Sequence, residues 1–200
     1  MDVMDIEDLV PEEVGGICGM IAPVIAYIFI GIAILINRSW FSWSQNALSD
    51  LGGPEASYAN VFNMGLVVTG IIGFLFAMAI FRFIESKIGV AGVSLFTASM
   101  IFFLLIGIFP EGTSFHFYIA IAFYILAIVG VTLIGVDQLI DWTEPIWGVL
   151  FISITILSLV SVWLVHSIPY DNLGLAIPEF MGSIPIMILS LVWGARLFFE

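Results

Sequence analysis

Side chains able to do chemistry gather in three short stretches of this 200-residue chain. The first holds Asn46, Ser49, Asp50 and Glu55, with Arg38 just before it and Asn60 and Asn63 just after. The second holds Glu111 and His116, and the third holds His166, Asp171 and Glu179. Both histidines of the chain are in this set. Amides, carboxylates, a hydroxyl and imidazoles brought together fix the polar part of a ligand whose remainder is apolar. The same groups are the parts of a hydrolytic site, with Ser49 as nucleophile or His116 as general base and Asp50 to orient it. Each also has a plainer role. Asp50 caps a turn, Glu111 is a solvated turn residue, and Glu179 is favoured by the dipole at a helix start. His116 and His166 serve equally as interfacial histidines with ordinary hydrogen bonds.

What must position these groups is a set of long apolar runs. Hydrophobic residues make up 62% of the chain and charged residues 10%, against about 25% charged in a typical soluble domain. Runs of about 20 apolar residues span a bilayer. The sequence predicts an all-α, polytopic membrane bundle of six transmembrane helices, at about 14–36, 57–84, 88–109, 115–136, 145–166 and 175–198. They form a single domain over about 14–200, preceded by an acidic tail at about 1–13 that lacks the positive start of a secretory signal. Turn residues mark the breaks: Gly52-Gly53-Pro54, Pro110-Glu111-Gly112, Glu144-Pro145 and Ser167-Ile168-Pro169. Helices satisfy their own backbone groups in hydrocarbon, and the alternating strands of a membrane barrel are absent.

Connections after odd-numbered helices lie on one side of the membrane, whichever way the chain inserts, so the three polar stretches share one face. Arg82, Lys87 and Arg196 fall on the other side, and Arg38 alone on this one. By the positive-inside rule both termini are cytoplasmic (N-in, C-in) and the polar face is extracytoplasmic. The connection at 37–56 carries Trp40, Phe41 and Trp43, which suit the interface, and a short surface helix is expected there. Asp137, Asp141 and Glu144 read as a solvated acidic loop on the opposite side. Gly15 and Gly19, Gly65, Gly70 and Gly73, and Gly89 with Gly92 are small residues at spacings that let helices approach closely, within the chain or between copies.

The formal charge of −12 excludes nucleic acid as a partner, since nothing neutralises phosphates. It also leaves no polybasic patch for anionic lipid. The one cysteine, Cys18, sits among glycines as a packing residue and forms no internal disulfide.

The order Asn46-Ala47-Leu48-Ser49-Asp50-Leu51-Gly52, then Phe62-Asn63-Met64-Gly65 and Gly70, then Gly107-Ile108-Phe109-Pro110-Glu111 and His116, resembles the membrane protein family known as domain of unknown function 998. The resemblance covers about residues 15–195. It implies a six-helix membrane protein of archaea or bacteria with an S-D-L-G segment after the first helix and a histidine opening the fourth, and no established activity. A remoter resemblance is to alkaline ceramidase-type membrane hydrolases, which hold zinc with three histidines beside a serine and an aspartate. Ser49, Asp50, His116 and His166 match in type, but the paired H-x-x-x-H on a late helix and the seventh helix are missing. A catalytic zinc takes three protein ligands and an open position. On that resemblance His116 and His166 with Asp50 or Glu179 would be the ligand set.

The expected function is binding of a lipid or another hydrophobic ligand in a bundle pocket of a multi-pass cell-membrane protein. The ligand-binding residues are then Arg38, Asn46, Asp50, Asn63, Glu111, His116, His166 and Glu179, with Arg38 meeting an anionic headgroup, and no cofactor is required. The alternatives are a membrane-embedded lipid hydrolase, which would use zinc or Ser49, and a small transporter. No G-x-S-x-G or H-E-x-x-H segment favours the hydrolase, and no mid-membrane charge or matched broken helices favour the transporter.

Overall fold

A computed structural model describes residues 9–140, 145–167 and 174–199, with the side chains of Val165 and His166 left aside. Among these residues the fold is all helical, with six long helices: α1 (Glu12–Ile36), α2 (Ala59–Ile80), α3 (Lys87–Ile108), α4 (His116–Ile140), α5 (Pro145–Ser167) and α6 (Ala176–Phe199). Each is long and apolar enough to cross a membrane, with mean hydropathy between 1.6 and 2.7. Large apolar side chains such as Leu157, Trp163 and Ile146 stand exposed on α5, a surface that lipid covers in a multi-pass membrane protein.

The helices pack in chain order, each against the next, and α6 returns to α1 to close a ring. Glycines set the closest crossings. A Cβ on Gly16 would lie 2.9 Å from the Gly194 carbonyl oxygen of α6, and one on Gly92 would lie 3.1 Å from the Gly130 carbonyl oxygen of α4. Gly65 takes the Phe29 side chain of α1 against its bare backbone. Gly15, Gly19, Gly65, Gly70, Gly73, Gly89 and Gly92 are therefore used inside the bundle. Pro185 in α6 has no N–H to offer the carbonyl of Met181, one turn earlier. The Ser158 hydroxyl of α5 donates to that carbonyl instead, at 2.9 Å, as an apolar surrounding requires.

Two expectations are corrected. The fourth helix does not end near 136 but runs to Ile140, and Asp137 is buried rather than solvated. Its carboxylate accepts from the Ser86 hydroxyl, and the same hydroxyl accepts from the Gly89 amide at 2.9 Å to cap α3. A carboxylate beside a helix N-terminus is favoured by the dipole there, so Asp137 serves α3 from a neighbouring helix. Asp141 and Glu144 lie outside the described residues. The second correction concerns 37–56, where no surface helix forms beyond one 3-10 turn at Ser49–Gly52. Asparagine and aspartate side chains take the backbone groups a helix would need. Asn37, 1% exposed, does most of this. It donates to the Ala33 and Ser57 carbonyls at 2.9 and 3.2 Å. Its oxygen accepts from the Ser57 amide at 2.8 Å and the Trp40 indole at 3.2 Å. The start and end of the connection are thereby fastened to each other.

Candidate functional site

The α1–α2 connection is folded onto the start of α6. Within it, the Asp50 carboxylate accepts from the Ala47 amide at 2.9 Å and the Asn46 side-chain amide at 3.2 Å. The Asn46 side-chain oxygen accepts from the Ser42 amide at 2.9 Å. Backbone pairs then reach across the chain. The Gly174 amide donates to the Ser44 carbonyl at 2.9 Å and the Ala176 amide to the Asn46 carbonyl at 2.8 Å. Glu179, in the first turn of α6, accepts from the Leu48 amide at 2.5 Å. The carboxylate is thus held by a connection 131 residues away in sequence.

Two further pieces close this end of the ring. Asn63, on the first turns of α2, donates to the Gly52 carbonyl at 3.0 Å, and Gly52 has no room for a side chain because the Asn63 side-chain oxygen lies where a Cβ would be. The Ser-Asp-Leu-Gly and Asn63 segments are thus one contact. Gly112, at φ +91°, turns the α3–α4 connection against Pro54. His116, 6% exposed, opens α4 with both ring nitrogens engaged: Nδ1 is 3.0 Å from the Phe109 carbonyl and Nε2 is 3.0 Å from a Glu111 carboxylate oxygen. Carbonyl and carboxylate oxygens accept, so both contacts are satisfied together when both ring nitrogens carry hydrogen.

Beneath this cap a cavity of about 110 Å³ runs down the centre of the ring. Ser49, His116 and Glu179 line its capped end and Met100 and Ser190 its deep end, with side chains of α1, α2, α3, α4 and α6 as walls. Glu179 and Ser190 are 11 residues apart on α6, which at 1.5 Å per residue is about 16 Å. The space is long and thin. Its walls are mostly apolar, and a few hydroxyls interrupt them. The Tyr27 and Ser183 hydroxyls are 2.7 Å apart, and the Tyr124 hydroxyl donates to the Glu179 carbonyl at 3.2 Å.

Of the residues singled out in the sequence, Ser49, His116 and Glu179 therefore line the cavity. Asn46, Asp50, Asn63 and Glu111 stand behind them and bind backbone or His116. Arg38 is exposed and is not part of the lining. The His166 side chain and Asp171 lie outside the described residues. Among the described residues no three histidine, cysteine or acidic side chains are grouped to hold a metal ion. Sequence reasoning passed over Tyr27, Tyr124, Ser183, Thr69 and Ser190, all in the lining. One signal was available, since Glu179, Ser183 and Ser190 follow the i, i+4, i+11 spacing of a single helical face.

The family described as "Protein of unknown function (DUF998)" matches residues 20–196, so the chain belongs to it. No curated protein and no solved structure matches the chain.

Proposed function

We propose, with membership of this family as the premise, that the protein binds a single-chain lipid or a similar linear amphiphile inside the ring, its polar head at the capped, extracytoplasmic end. The observation that carries this reading is the cavity itself, apolar along its length and polar at one end through Glu179, Ser49 and His116. Its size selects the class. About 110 Å³ is well below the 300–1,000 Å³ of pockets for drug-sized ligands and close to the ~150 Å³ engineered cavities that take one benzene. A short length of one chain fits at a time, and a two-chain lipid does not enter whole. The orientation rests on Arg82, Lys87 and Arg196 standing at the end where α1 begins and α6 finishes.

The head is a hydrogen-bond donor rather than an anion. Among the described residues the capped end carries Asp50, Glu55, Glu111 and Glu179 against Arg38, and the acidic group in the lining is Glu179. A negative headgroup would find carboxyl groups around it and no lysine or arginine among the described residues of the lining to pair with.

The test is mass spectrometry of protein extracted in mild detergent, on wild type and on Ala26→Leu, which places three more carbons in the cavity wall. Wild type is expected to retain a single-chain amphiphile at near one per protein, and Ala26→Leu to lose most of it while remaining folded. Wild type that carries nothing but detergent, at the same level as Ala26→Leu, removes the reading.

A further inference from the structure

Threonine inside a helix ordinarily donates its hydroxyl to the carbonyl one turn back. Thr97, Thr132 and Thr155 all do so here, to Val93, Ile128 and Phe151, at 2.8, 2.7 and 2.8 Å. Thr69 does not. It is 6% exposed, and its hydroxyl oxygen has no hydrogen-bond partner. It also lines the central cavity, on the α2 face that carries Phe62, Leu66 and Gly73. An unpaired hydroxyl in an apolar interior costs on the order of 1–3 kcal/mol, and three threonines of the same fold show how readily that cost is avoided. Helical threonine has two accessible χ1 rotamers, so turning the hydroxyl toward an occupant of the cavity needs a rotation about χ1 and no movement of α2.

The depth of Thr69 is fixed by its neighbours. Asn63 on α2 binds Gly52, and Glu179 on α6 binds Leu48, so both mark the level of the same short connection. Thr69 is six residues further along α2, about 9 Å deeper at 1.5 Å per residue. Ser190 lies deeper still on α6, in the same lining.

We propose that Thr69 is a second polar station, so that the occupant of the cavity is a bipolar chain: a head at Glu179 and a second hydroxyl or carbonyl group about 9 Å along an otherwise apolar chain. This rests on the ligand reading above and narrows it from any single-chain amphiphile to one with an internal or terminal second polar group. A plain alkyl chain offers the Thr69 hydroxyl no partner, whereas a bipolar one does.

The experiment compares 1-octanol with 1,8-octanediol as probes, by thermal shift of the detergent-purified full chain over a concentration series. Wild type is expected to bind the diol about fivefold more tightly than the mono-alcohol, the worth of one ordinary hydrogen bond. Thr69→Val, which keeps the shape and removes the hydroxyl, is expected to abolish that preference, so that the diol binds no more tightly than 1-octanol to the same variant. Thr69→Ser is expected to keep the preference. Equal binding of the two probes by wild type overturns the second station even if Thr69→Val does not fold. If Ala26→Leu weakens both probes in that case, the cavity reading stands and only the station falls. If neither probe binds wild type, both fall together.

Discussion

The side chains that hold the capped end together are mostly not the ones that line it. Asn37 illustrates the difference. It lies in the 37–56 connection, outside the polar cluster read from the sequence, yet it makes four hydrogen bonds from a fully buried position. Truncation to alanine removes donor and acceptor together and leaves the Ala33 carbonyl and both backbone groups of Ser57 to find new partners. We expect Asn37→Ala to destabilise the protein by roughly 2 kcal/mol, and Ser39→Ala, two residues on at an exposed position, to stay within about 0.5 kcal/mol. Denaturant titration in detergent, followed by tryptophan fluorescence, reads both. An Asn37→Ala protein as stable as Ser39→Ala would mean that the connection is not held from this residue. At the same scale, Glu179 and His116 were visible in the sequence as ionisable groups near helix starts, but their partners were not. The partner of Glu179 is the backbone amide of a leucine, and no residue type marks such a donor. Thr69 was invisible for the opposite reason, because a lone threonine hydroxyl in an apolar run reads as one that bonds its own helix.

The helices themselves were legible because the length of an apolar run is set by the thickness of the bilayer, and their starts fell within a few residues of those expected. What misled was charge used as a loop marker. Asp137 looked like the first residue of an acidic connection, whereas Ser86 on a different segment receives it inside the bundle, and α4 continues for another turn. Small residues were legible as packing positions but not as partners, and their partners decide what a substitution does. A Cβ on Gly194 would lie 2.8 Å from the Met20 amide nitrogen and 2.9 Å from the Gly19 carbonyl carbon, both backbone, so α1 and α6 would have to separate. Gly31, in α1 as well, has nothing within 4 Å of its Cβ position. Gly194→Ala is therefore expected to lower stability by roughly 1–3 kcal/mol, as overpacking does. Gly31→Ala is expected to raise it by about 0.5–1 kcal/mol through the reduced backbone freedom of the unfolded chain. Melting temperatures of the two purified variants against wild type separate the effects by sign. A Gly194→Ala protein that melts with or above wild type would show that the α1–α6 seam, which closes the ring, is not tightly packed.

At the scale of the whole molecule, closure of the ring makes the two ends unlike. One end is capped by the 37–56 and α3–α4 connections and opens inward to the cavity. The other holds Asp137 on the α3 cap and the Arg82–Glu12 pair, 3.6 Å apart. Which end faces the outside determines where a ligand comes from, and Arg38 against Arg82, Lys87 and Arg196 predicts that the capped end is extracytoplasmic. Cysteine labelling tests this with little background, because the native Cys18 is buried. Glu55 is exposed at the capped end and Glu85 is exposed at the other. In intact cells, Glu55→Cys is expected to react with a membrane-impermeant maleimide, and Glu85→Cys to react only after permeabilisation. The reverse pattern would invert the protein without altering its fold. The cavity would then take its ligand from the cytoplasmic leaflet, and the charge asymmetry would have to be attributed to packing at the α2–α3 turn, where Arg82 already holds the Val10 carbonyl at 3.1 Å, rather than to insertion.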